Sequence, residues 1–141
     1  MTIYQMNDGR FVIKGEGWSD RTMHIIKNAH RSASLVVTRG RVPNGRTFDE
    51  ELVSEYARLA SQIAYFNQTE PVSVTLPHLP GCPAREISAT YRHHGIVCHQ
   101  RQVAVLLPGK RIVIVTYAMQ RAFGLEDEIF WQRVKATLDL D

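Results

Sequence analysis

AREISATYRHHGIVCHQRQVAVLLPGKRIVIVTYAM, residues 84–119, decides the fold. Its apolar runs, Val103–Leu107 and Ile112–Val115, are rich in β-branched residues and too short for helices. Gly95 breaks the stretch once and Pro108–Gly109 breaks it again, so it reads as three antiparallel strands joined by two tight turns. The middle strand opens unusually, with His99, Gln100, Arg101 and Gln102 in a row. In a sheet its side chains alternate. Cys98, Gln100, Gln102, Ala104 and Leu106 share one face, and Val97, His99, Arg101, Val103 and Val105 share the other. An amide both donates and accepts hydrogen bonds without carrying charge, so the Gln face suits an uncharged polar partner flanked by apolar walls.

The flanking sequence supplies the rest of the sheet and two helices. Phe11 and Ile13 mark a short strand closed by Gly15 and Gly17. Residues 21–27, RTMHIIK, set Met23 and Ile25 on one face and His24 and Ile26 on the other. With residues 33–40 and the polar turn between, they form a hairpin. Pro43, Asn44 and Gly45 end that unit. The spacing of Phe48, Leu52, Tyr56, Leu59 and Ile63 predicts a helix over 47–66, opened by a capping box from Thr47 to Glu50. A Pro-rich segment holds at most one edge strand, Val72–Leu76. A last helix over 125–140 has Glu126, Asp127 and Glu128 in its first turn and Phe130, Trp131, Val134 and Leu138 on its buried side. The fold class is therefore α+β, an antiparallel sheet with two main helices, formed by residues 1–141 as a single domain.

The totals exclude several classes. The chain has 141 residues, 44% of them hydrophobic and 22% charged, which suits one globular domain. The net charge of +3 is modest, and the Lys and Arg residues are scattered, so no nucleic-acid partner is expected. The first residues, MTIYQMNDGR, show neither a basic start nor an apolar stretch, so no secretory leader is expected, and no run approaches the ~20 apolar residues of a membrane span. A cytoplasmic location and no stable membrane insertion are expected. Two thiols, Cys82 and Cys98, are too few for a disulfide framework. His78, His93, His94 and His99 lack the tight spacing of a zinc site, so neither metal nor cofactor is expected. No nucleophile, base or phosphate loop emerges either, and the expectation is a binding protein rather than an enzyme.

The whole chain resembles the DcrB-related proteins, and within them the Eag-type chaperones of bacterial type VI secretion. The resemblance rests on the opening MT.Y.M, on the segment from Thr38-Arg39-Gly40 to Phe48, and on RQV at 101–103, in that order and spacing. Thr38 departs from the Ser of the pattern. The resemblance implies a PsbP/Mog1-like α/β/α sandwich and a homodimer. It also implies an activity: shielding N-terminal transmembrane segments of a secreted effector, of the Rhs type, before export. Met23, Ile25, Val36 and Gln102 would then line the client groove, and the strand pattern adds Gln100 and Ala104 on the same face. A ~20-residue apolar client helix is ~30 Å long, more than one small domain covers, so a two-fold dimer fits it better. The alternative is a binding module of the same fold whose partner is an ordinary soluble protein.

Overall fold

A computed structural model of the chain describes residues 2–6, 9–13, 24–28 and 33–140, with side chains from residue 25 onward. Two strands, β1 (Thr2–Met6) and β2 (Gly9–Ile13), form an antiparallel pair of their own. Sequence patterning anticipates β2 but not β1.

The main sheet has seven strands. They are β3 (His24–Asn28), β4 (Ala33–Arg41), β5 (Asn67–Gln68), β6 (Val72–Val74), β7 (Ala84–His93), β8 (Ile96–Leu107) and β9 (Arg111–Met119). Their order is β3-β4-β9-β8-β7-β5, with β6 also pairing to β7, and every pairing is antiparallel. The 84–119 stretch is the centre of this sheet, as its apolar runs demand. His93 pairs with Ile96, leaving His94–Gly95 as a two-residue loop. Both loop residues have positive φ, 53° and 78°. That is the backbone a tight hairpin requires, and Gly95 meets it without steric cost.

The helices lie on opposite faces. α1 (Phe48–Gln62) starts with the expected capping box: the Glu50 amide donates to Thr47 Oγ1 at 3.1 Å, and the Thr47 amide donates to Glu50 Oε1 at 3.0 Å. These bonds hold the Glu50 carboxyl below its usual range. The helix ends four residues short of the expected 66, because its apolar stripe loses its floor: Phe48, Leu52 and Tyr56 are buried, whereas Leu59 and Ile63 are only half-buried. Phe48, Leu52 and Tyr56 pack on Ile87, Ala104 and Ile112. Arg85 fastens α1 to β7 by donating to both carboxylate oxygens of Asp49, at 2.9 and 3.2 Å.

α2 (Leu125–Thr137) covers the other face, over Val103, Val105, Val113, Val115 and Tyr117. Trp131 is its anchor, fully buried with its ring stacked 6.2 Å from that of Tyr117. Its indole N–H donates to Glu86 Oε1 at 3.0 Å, and Lys135 Nζ meets the same oxygen at 2.6 Å. Phe130, expected on the buried side, is more than a third exposed, although its ring edges Tyr117 at 4.9 Å. The successive positions 130 and 131 point about 100° apart on a helix, and Trp131 takes the inward one. The result is an α/β/α sandwich. Among the described residues no helix is long and apolar enough to cross a membrane.

Candidate binding face

Strand register settles which side chains share a face. On the α1 side, one cross-strand row runs Ile25, Val36, Thr116, Gln102, Ile87. The next row runs Lys27, Ser34, Ala118, Gln100, Ala89. A row on the other side of the first holds Thr38, Ile114, Ala104 and Arg85. Five of the six expected residues, Ile25, Val36, Gln100, Gln102 and Ala104, therefore lie on one face across four adjacent strands. Met23 lies outside the described residues.

Their burial differs from the expectation in two ways. Ala104 is 0% exposed and sits beneath Leu52 and Tyr56 of α1, so it is core and not open groove. A small residue there is what lets the helix approach the sheet. Gln100 and Gln102 are 7% and 6% exposed, where an open amide-lined face was expected. They sit on β8 in the middle of the sheet, with Thr116 and Ala118 on one side and Ile87 and Ala89 on the other. Ile25, on the edge strand, is 55% exposed, and Val36 is half-buried.

The α1 core cluster ends at Ile87, Ala104 and Ile114 and includes none of Val36, Ala118 or Cys98. Beyond it the chemistry changes from aliphatic to small and polar. Gln102 donates from Nε2 to Thr116 Oγ1 at 3.1 Å. Its Oε1 is buried and has no hydrogen-bond partner among the described residues. An orphaned buried carbonyl oxygen of this kind costs ~1–3 kcal/mol, so native structures rarely keep one without a use. The same face holds a second, the hydroxyl of Tyr56. Burial, with Asp49 nearby, pushes that phenol up to about 12.

The opposite face explains the other half of the polar run that opens β8. Arg101 donates to Glu128 of α2 at 2.6 Å, and its guanidinium lies 4.4 Å above the Phe123 ring. It joins strand to helix and takes no part in the Gln face. Sequence reasoning groups Asp127 with its neighbours as a dipole charge and misses its burial. It is 2% exposed. The Gly124 amide donates to it at 2.8 Å, and Arg121 donates to it at 2.7 and 3.3 Å. The Gly124–Asp127 spacing was the available signal: a carboxylate three residues into a helix reaches back to the cap amide.

Among the described residues no group of three or more His, Cys, Asp or Glu could hold a metal ion. Cys98 is buried and Cys82 half-buried, both as free thiols.

The chain shares its fold with solved proteins. A Pseudomonas aeruginosa protein of unknown function, PA94, described as a candidate regulator, superposes with a TM-score of 0.75 at 19% identity, covering 99% of this chain and 96% of that one. LpqN of Mycobacterium tuberculosis, involved in cell envelope biogenesis, superposes with a TM-score of 0.51 at 11% identity, covering 81% of this chain and 75% of its own. No curated protein matches the sequence. A family model described as DcrB matches residues 8–137.

Proposed function

The chain belongs to the DcrB family, and on that premise we propose that it is a cytosolic chaperone or adaptor, not an enzyme, that holds apolar N-terminal segments of a type VI secretion effector, of the Rhs type, until export. The observation that carries this reading is the orphaned Oε1 of Gln102, buried on the face where Val36 and the exposed Ile25 also lie. A membrane segment is apolar over most of its surface but packs through small residues and keeps hydroxyl and amide groups that need partners. Gln102 holds an unpaired acceptor that such a group would pair with once the client's arrival uncovers it, and the aliphatic side chains of Ile25 and Val36 offer apolar area at ~25 cal/mol per Å2. No step of this activity breaks a bond, so it asks for no acid, base, metal or cofactor.

A homodimer suits the length of the client. Light scattering at micromolar concentrations should return twice the chain mass, and a monomer mass throughout would remove this part of the proposal.

Ile25→Asp is the direct test. Because Ile25 is more than half exposed on an edge strand, the variant should melt within a few degrees of the parent. A carboxylate there must lose water against an apolar client, which costs several kcal/mol, so co-purification with an apolar effector segment should fall at least tenfold. Undiminished capture by the folded variant would withdraw the face.

A further inference from the structure

The row beyond Gln102 contains a cavity of about 650 Å3 at the β3 end of the candidate face. Its floor is made of small side chains, Ser34, Ala118 and Cys98, and its walls include Lys27 on β3 and Tyr91 and His93 on β7. Lys27 and Gln100 occupy the same cross-strand row, three strand steps apart. At ~4.8 Å per step that is ~14 Å. Ser34 and Ala118 lie between them, on the floor of the cavity. Among the described lining residues there is no carboxylate, while Lys27 is cationic. Lys27 makes no ion pair among the described residues. The Tyr91 phenol is kept protonated by burial and by Cys98 beside it, so it remains a donor. The cavity thus combines a floor of small side chains with one cation and neutral donors.

We propose that this cavity seats an acidic residue at one end of the apolar segment, so that the segment lies on the face in a single direction. This rests on the reading above, since it names the chemistry of the client's flank and not the apolar contact itself. The aliphatic row of Ile25 and Val36 holds any apolar helix. The adjacent Lys27 row then selects which end lies over the cavity, because a carboxylate gains a cation there and an ammonium is repelled by it.

The probe is a set of synthetic Leu–Ala–Ser helices of ~20 residues, each with the same neutral solubilising tail. One carries Asp-Glu at its N-terminal end, one at its C-terminal end, one Asn-Gln at both ends, and one Lys-Lys in place of the favoured acid. Binding to the full chain is followed by anisotropy at low salt. One acidic peptide should bind about two- to fivefold tighter than the amide peptide, the size of a partly screened ion pair. Lys27→Glu should abolish that advantage and bring the Lys-Lys peptide above the acidic one. Equal affinity of the acidic and amide peptides overturns this inference and leaves the apolar reading standing. So does an acid preference that survives Lys27→Glu, and so does equal preference for both ends. If no peptide binds, the candidate face itself is wrong and this inference falls with it.

Discussion

The two faces of the sheet treat their polar groups in opposite ways. Beneath α2 the polar side chains at the seam between helix and sheet are paired among the described residues. Glu86 receives the Trp131 indole and Lys135, Asp127 receives Arg121 and the Gly124 amide, and Arg101 reaches Glu128. Beneath and beyond α1, Gln102 Oε1 and the Tyr56 hydroxyl are buried without one among the described residues. One strand, β8, serves both faces, with Val103 and Val105 on one side and Gln100 and Gln102 on the other. A fold under pressure only for stability would finish both faces alike, because a buried polar atom left unpaired costs as much on either. The α2 face is a completed core. On the α1 face the helix packs as far as Ala104, and both buried polar atoms without a partner among the described residues lie on that side.

The contrast breaks first if the α2 face is not the stable one. Trp131→Ala removes the largest fully buried side chain and leaves Glu86 without its indole donor. The loss should be ~3–5 kcal/mol in denaturant unfolding. It should weaken client capture only as far as it unfolds the chain. A loss below ~1 kcal/mol would mean that α2 is not the anchor its packing implies.

Much of this division was legible in the sequence, for reasons that differ by element. The 84–119 meander declares itself because its β-branched apolar runs and two turn signals mark three strands, and the period of two along the middle strand puts Gln100 and Gln102 on the same face. The face reading of Ile25 and Val36 follows from the same alternation once β3 and β4 pair. What could not be read was depth. Alternation tells sides apart but not where a helix stops, so Ala104 and Gln102 look equivalent in the sequence although α1 covers the first. The tight two-residue strand β5 carries no apolar pattern at all. Asp127 was hidden for the opposite reason: three acids in a row look like a solvated helix start, and only Arg121 and the Gly124 amide single out the middle one. Glu86 is 45 or more residues from both Trp131 and Lys135, a contact no local pattern encodes.

The second test sharpens the comparison through pH. The Tyr56 phenol, pushed up to about 12 by burial and Asp49, ionises near ~10 in the unfolded chain. The native state therefore holds this proton more tightly. The stabilisation is fully present below pH ~10 and is lost as pH rises from there through about 12. At ~1.36 kcal/mol per pH unit the loss is of the order of 2–3 kcal/mol. Tyr56→Phe has no proton to lose, so its unfolding free energy should fall less than the parent's over that range. At pH 7 the same variant removes a buried hydroxyl that has no partner, and stability should be unchanged or up to ~1 kcal/mol higher. A clear loss at pH 7 would mean that the hydroxyl is bonded after all, and the asymmetry between the faces would shrink to one residue.

The smallest stability effect is expected where the functional effect is large. Gln102→Leu gives up the bond from Nε2 to Thr116 Oγ1, worth ~1 kcal/mol, and at the same time removes the orphaned oxygen. The two changes oppose each other and the side-chain volumes are similar, so the melt should move by less than ~1 kcal/mol either way. Ordinary core polar residues do not behave like this. Cutting a completed network, such as the one around Glu86, leaves a stranded charge and destabilises. If Gln102 serves the fold, Gln102→Leu should cost several kcal/mol and leave any captured segment bound in proportion to folded protein. If it serves a client, the folded variant should bind an apolar effector segment about five- to tenfold more weakly, the worth of one hydrogen bond made only in the complex. Thermal melts and capture assays on the same preparation separate the two. A large stability loss with capture intact would return Gln102 to the core and leave the α1 face with no polar group reserved for a partner.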